Sequence, residues 1–169
     1  MKNVIETERC LLSQIKRSDE RDIYILYKNE NVRRFLGGIV NQNIFKERFN
    51  RMLQDFTVTN WTIRLKLNKV FVGMIGIGKH HDGQDSEISF QLLPEFWGKS
   101  FAEETVSGII KHAANTMNLP CIIAETQSAN MPSRKLLEKI GMEPDRILTR
   151  FNEEQVIYHK KLLSSSHSD

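Results

Sequence analysis

A chain of 169 residues, 40% hydrophobic and 27% charged, can bury the core of one globular domain. Its formal net charge is only +3, with basic residues scattered among acidic ones, so it lacks the Lys/Arg stripe of a nucleic-acid binder. Cys10 and Cys121 are the only cysteines, which excludes a disulfide framework and a cysteine-based zinc site. Near the start, Glu6, Glu8 and Arg9 leave no apolar signal core, and no run approaches the length of a membrane span. These features predict a cytoplasmic protein with no membrane partner, a single domain over residues 1–163, and a polar, disordered tail over 164–169.

In chain order, Arg9 to Ile15 reads as a first strand. Ser18 or Asp19 then caps a helix whose apolar face is Ile23, Leu26 and Tyr27. Arg33, Arg34, Phe35, Leu36, Gly37 and Gly38 break that pattern and read as a charged, solvated turn. A second helix is predicted from about Asn43 through Asp55, with Phe45, Phe49, Met52 and Phe56 on one side. The runs Trp61 to Leu67 and Val70 to Lys79, joined by Asn68-Lys69, form a hairpin. Trp61 and Trp97 both read as packing residues. His80-His81-Asp82 offers ligand-type side chains, but neighbours at a strand end point to opposite sides and no further ligands are evident, so no metal site is predicted.

Glu87 to Leu92 alternates apolar and polar residues, as a half-buried strand does, and Val106, Ile109, Ile110 and Ala113 recur at helical spacing. Between them lies Pro94-Glu95-Phe96-Trp97-Gly98-Lys99-Ser100-Phe101-Ala102. A small-residue turn that opens a helix leaves backbone N–H groups unpaired at the positive end of the helix dipole, a ready site for a phosphorylated small molecule. Gly98-Lys99-Ser100 also spells the end of a nucleotide-binding P-loop, but Leu93 stands where that motif requires glycine. Cys121 to Thr126 is a short strand, and Asn130 and Pro132 precede a helix through Lys139 that Gly141 stops in the left-handed conformation. Ile147 to Phe151 and Val156 to Leu162 flank Asn152-Glu153-Glu154-Gln155 as a closing hairpin. The order β-α-α-β-β-β-α-β-α-β-β predicts an α/β (α+β) fold, a mixed sheet with helices on both faces.

Three segments resemble the GNAT acyltransferase superfamily, and within it the branch that acetylates ribosomal-protein N termini. Leu93 to Glu104 is similar to that branch's pyrophosphate loop, Asn130 to Met142 to its N-x-x-S-x-x-x-x-E-K-x-G-F/M segment, and Phe71 to Ile77 to its central hairpin strand. The likeness runs from about Thr7 to Leu162 in the family's order. It implies a GNAT fold with a splayed pair of strands, and transfer of an acetyl group from acetyl-coenzyme A to a primary amine, either a protein N-terminal α-amine or a small amine. It also implies direct attack in a ternary complex, and a monomer or homodimer. One departure is Ser100, in place of the loop's second glycine. A left-handed backbone there would carry a steric penalty. A helical one would let the hydroxyl add a phosphate contact, and the position at the helix start favours the helical alternative.

The resemblance also nominates residues. An α-amine has a pKa of about 8 and a lysine-like amine about 10.4, so the acceptor arrives as ammonium and must lose a proton. Glu125, five residues before Asn130, matches the base proposed in the ribosomal-protein relatives, and Glu87 matches the carboxylate of other members. The alternative for each is a solvated glutamate at a strand end. Leu137 stands where many relatives have a tyrosine acid, twelve residues after Glu125, and Ser133 is the substitute donor. For the cofactor, backbone groups of Leu92 and Leu93 would accept the pantetheine arm, and Gly98, Lys99, Ser100, Phe101 and Ala102 would cradle the pyrophosphate. Asn130 would bond the pantetheine or cap its helix, Ser133 lies beside it, and Arg134 would reach the adenosine phosphate or stay solvated. Ser100 and Leu137 also leave room for a coenzyme-A-binding sensor without catalysis, or for a noncatalytic partner subunit.

Overall fold

The computed structural model describes residues 4–162, and the predicted tail over 164–169 lies outside them. The elements are β1 (Ile5–Glu6), β2 (Cys10–Gln14), α1 (Glu20–Tyr27), α2 (Glu30–Arg33), α3 (Gln42–Gln54), β3 (Thr59–Leu65), β4 (Phe71–Lys79), β5 (Ser86–Leu92), α4 (Phe101–Asn115), β6 (Cys121–Gln127), α5 (Met131–Lys139), β7 (Glu143–Arg150) and β8 (Glu153–Lys161). They build one eight-stranded sheet in the order β1-β2-β3-β4-β5-β6-β8-β7. This is the mixed sheet predicted, with β1 and the short α2 added.

The closing hairpin differs from the expectation. Its turn is the two residues Phe151 and Asn152, both at positive φ (56° and 59°), and Glu153 to Gln155 already belong to β8. Two left-handed residues in succession match the twist of a tight hairpin, so the polar run after them can pair. β7 also starts earlier than expected, because Glu143, Pro144, Asp145 and Arg146 are an exposed edge that needs no apolar alternation.

Strand parity divides the core in two. On one face Ile75, Ile77, Ile88 and Leu92 pack with Ile122 and Ala124 against Val106, Ile109 and Ile110 of α4 and Leu137 of α5. On the other, Phe71 and Met74 pack beneath α1 and α3, through Ile23, Leu26, Tyr27, Phe45 and Phe49. Burying each of these large side chains contributes about 1.5–3 kcal/mol, which holds α3 over the sheet as a wall. Val72 forms a bulge, since Ile63 pairs with Gly73 while Arg64 pairs with Phe71.

All strand pairings are antiparallel except β5 with β6. That parallel pair meets at one register position, Glu87 with Ile123. Beyond it both strands run on unpaired with each other, so the sheet opens toward Leu92 and Gln127. α4 begins just past Leu92, which sets its N-terminus at the mouth of the opening.

Candidate active site

At that mouth the backbone N–H groups of Gly98, Lys99, Ser100, Phe101, Ala102 and Glu103 have no acceptor among the described residues. Gly98 (φ 69°) and Ser100 (φ 64°, ψ 14°) are both left-handed, so the amides curl into a concave nest that continues into the first turn of α4. Such a nest, with the helix dipole behind it, suits a phosphate or pyrophosphate group. Ser100 is therefore not helical, contrary to the expectation. It carries the steric strain of the left-handed region, and its hydroxyl caps no N–H of the helix.

The nest is anchored from the N-terminal strands. Glu104 accepts from the Thr7 hydroxyl (2.5 Å), the Arg9 backbone N–H (2.7 Å) and Arg9 Nε (2.7 Å). The Arg9 guanidinium also stacks over the Phe101 ring at 3.9 Å and reaches the Lys99 carbonyl at 3.1 Å. Lys99 folds its ammonium back onto the Glu95 carbonyl (2.8 Å), so Lys99 and Phe101 present backbone rather than side chain to the nest.

Other expected contacts are already engaged. Trp97 is half exposed, and its Nε1–H donates to the Leu92 carbonyl (2.9 Å), while the Leu93 carbonyl accepts from the Phe96 N–H (3.0 Å). Neither group is the free strand-end group predicted, and Trp97 is more than packing. Arg134 is not a solvated arginine: it donates to Tyr158 Oη (3.1 Å) and to the Ser128 carbonyl (3.1 Å). Asn130 caps α5, its side chain accepting from the Ser133 N–H at 3.3 Å. Leu137 is 1% exposed and belongs to the α4-side core. Arg33 is buried, not solvated, and clamps its turn by donating to the Leu36 (2.6 Å) and Gly38 (2.9 Å) carbonyls.

The chemistry-bearing side chains gather on the opposite face, that of α1 and α3. Pairing places Gly78 beside Glu87 and Glu87 beside Ile123, so His80, Glu87 and Glu125 project from one side of three strands. His80, 1% exposed at its side chain, donates from Nε2 to Glu125 Oε2 at 2.6 Å and lies 3.5 Å from Glu87 Oε2. The Asp82 backbone N–H points at Nδ1 (3.2 Å), which makes Nδ1 the acceptor in the neutral ring and keeps the proton on Nε2. The Asp82 carboxylate stands 3.1 Å from Nδ1 and is paired with Arg146 at 2.8 Å.

The two glutamates differ sharply. Burial would raise the Glu125 pKa, but hydrogen bonds from Arg150 Nε (2.8 Å) and His80 outweigh it and hold the carboxyl below its ordinary value. Burial pushes Glu87 from 4.5 up to about 7, with the Glu125 charge adding to the rise and His80 opposing it. Its Oε2 is buried and makes no hydrogen bond. One nitrogen and two carboxylate oxygens of His80, Glu87 and Glu125 lie within 4.8 Å of one another, a donor set of metal-binding type that the sequence reading did not foresee. Both Glu125 oxygens are already engaged, by Arg150 Nε and His80 Nε2, while Glu87 Oε2 faces the pair without a hydrogen bond.

His80 and Arg150 were absent from the predicted site. His80 was recoverable from strand parity, because it lies two residues beyond Gly78, the cross-strand partner of Glu87. Arg150 was not, because its reach depends on the register of β7 and β8 across the irregularity at Pro144–Arg146.

Residues 9–143 match the acetyltransferase (GNAT) domain family. YoaA of Bacillus subtilis, an uncharacterized N-acetyltransferase, is 27% identical over 158 residues, covering 88% of this chain and 87% of its own. Spermidine N-acetyltransferase from Vibrio cholerae, solved with CoA and spermine, superposes with a TM-score of 0.79 at 17% identity, covering 91% of this chain and 96% of that one. RimL, a ribosomal L7/L12 alpha-N-protein acetyltransferase in complex with coenzyme A, superposes with a TM-score of 0.80 at 12% identity, covering 95% and 98%. Among the described residues no helix is long and apolar enough to cross a membrane.

Proposed function

Because the chain belongs to the GNAT family of acetyltransferases, we propose that it moves an acetyl group from acetyl-coenzyme A to a primary amine by direct attack in a ternary complex, in the cytoplasm. The observation that carries this reading is the pairing of a free N–H nest at the sheet opening with a carboxylate, Glu87, whose Oε2 is buried and unbonded on the strand that borders it. Coenzyme A would be held by the amides of Gly98 to Glu103, with Asn130 and Ser133 at the start of α5 beside its arm. Acetyl-coenzyme A supplies a thioester, whose C–S bond breaks as the amine nitrogen bonds the carbonyl carbon.

Glu87 is the base of this reading. Its carboxylate takes the proton the ammonium must lose, directly or through one water, and releases it to solvent. A base titrating near 7 balances the population of its ionised form against its proton affinity. Glu125 is the partner that holds His80, and through it the wall of the site. The departing thiolate takes a proton from solvent or from the Ser133 hydroxyl, since with a thiol-like pKa of about 8.5 it needs little help.

Calorimetric titration of acetyl-coenzyme A into the full chain tests the nest. Micromolar binding is expected, and Gly98→Asp abolishes it by placing a strained, negatively charged side chain among the amides. Equal binding by that variant would mean the pyrophosphate sits elsewhere.

A further inference from the structure

On the α1 and α3 face a pocket of about 350 Å³ opens beside β5, between the end of α3 and the sheet. Ser89 and Gln91 of β5 line it, and both share the face of Glu87. Successive same-face positions on a strand are about 6.7 Å apart, so Ser89 is the next step along from the proposed base. The floor is kept low by Gly76, where an added Cβ would strike the Asn60 side chain. Its volume is that of a small-molecule site, at the lower end of the usual ~300–1,000 Å³.

The charges of the lining are the informative part. Arg48 and Arg51 stand three residues apart on one side of α3, and neither forms an ion pair among the described residues. The one acidic residue of the lining, Asp55, has an oxygen engaged by the Thr57 N–H (2.9 Å) and hydroxyl (2.6 Å). Every other lining residue is uncharged, so the pocket carries a net positive charge. A polycation such as a polyamine would be repelled there. Two guanidiniums in reach of one space suit a carboxylate, which each can bond in a planar fork.

We propose that the acceptor amine also bears a carboxylate, as an amino acid or an acidic peptide N-terminus does, with that group seated between Arg48 and Arg51 and the amine directed along β5 to Glu87. This rests on the acetyl-transfer reading for its chemistry, but the pocket can be tested without turnover. Calorimetry on the full chain with coenzyme A present would compare the dipeptide Gly-Glu, the carboxylate-free Gly-Gln amide, and spermidine. Gly-Glu is expected to bind at least tenfold more tightly than either of the others, with the preference weakening as salt rises. Arg48→Gln and Arg51→Gln each reduce that preference several-fold, and Arg51→Glu reverses it toward spermidine.

Thiol release with acetyl-coenzyme A then separates the two readings. Arginine-dependent binding of Gly-Glu without acetylation would leave the pocket standing and overturn the transfer reading for this acceptor class. Acetylation in which Gly-Glu and its carboxylate-free counterpart perform alike, or in which spermidine is preferred and the arginine variants change nothing, overturns the pocket assignment and leaves acetyl transfer intact. In the expected case the arginine variants raise KM more than they lower kcat.

Discussion

The two strands that border the opening in the sheet carry one carboxylate each, in opposite surroundings. Glu125 on β6 meets Arg150 and His80, and both of its oxygens are bonded. Glu87 on β5 is half-buried, its buried Oε2 unbonded, and that burial pushes it up to about 7. One carboxyl is thereby held below its ordinary pKa and the other above it. The difference comes from the cross-strand neighbours, since both residues sit on the same face of neighbouring strands.

The sharpest way to break this contrast is to exchange each carboxylate for an amide. Glu87→Gln is expected to lower kcat by about 10²–10³-fold while leaving the affinity for acetyl-coenzyme A unchanged, as loss of a general base does. If steady-state kinetics show that loss for Glu125→Gln and little for Glu87→Gln, the roles are the reverse of those argued above. Glu125→Gln is expected instead to lower stability by about 3 kcal/mol in urea unfolding, because Arg150 and His80 lose their shared anion in a nearly buried place.

pH separates the two carboxylates again, with opposite signs. Glu87 binds its proton more tightly folded than unfolded, so between about pH 4.5 and 7 the native state holds more protons and stability falls as pH rises. Above 7 the full penalty of about 3 kcal/mol is present, and Glu87→Gln should relieve much of it, stabilising the fold at pH 8. Glu125 acts the other way: its contribution is complete above its ordinary value and is lost as pH falls through its lower native pKa. The same titration makes kcat/KM climb with pH through about 7, and that limb should vanish in Glu87→Gln.

The smallest effect concerns Ser100. Replacing it with glycine removes a left-handed strain of about 1 kcal/mol, so Ser100→Gly should raise the melting temperature by a few degrees with coenzyme binding retained. A lower melting temperature would show that the serine side chain contributes something the backbone angle does not reveal.

Much of this architecture could be read from the chain. The alternation of Glu87 to Leu92, the α4 stripe and Gly141 each predicted what the structure holds, because local pattern and burial agree there. Gly141 is indeed left-handed, at φ 84°. The site was legible only in part. Motif spacing nominated Glu125 and Glu87, but spacing says nothing of cross-strand partners, and it is Arg150 and His80 that hold the Glu125 carboxyl below its ordinary value. The carbonyl of Leu92 was expected to be free, and only the folded loop brings the Trp97 indole back to it. Backbone angles were the other gap: a serine at a helix start reads as helical until the turn before it is known.

The single parallel contact between Glu87 and Ile123 reaches beyond catalysis. It makes the protein two antiparallel blocks of sheet, β1 to β5 and β6 to β8, with α4 in the chain connection between them. Few backbone bonds join the halves, and their cohesion comes from apolar side chains of α4 and α5 packed across the seam. Chains cut near Asn118, in the turn after α4, should therefore reassemble when the two fragments are coexpressed. A ligand that touches both the nest on one fragment and Asn130 on the other would tighten that reunion in proportion to its concentration.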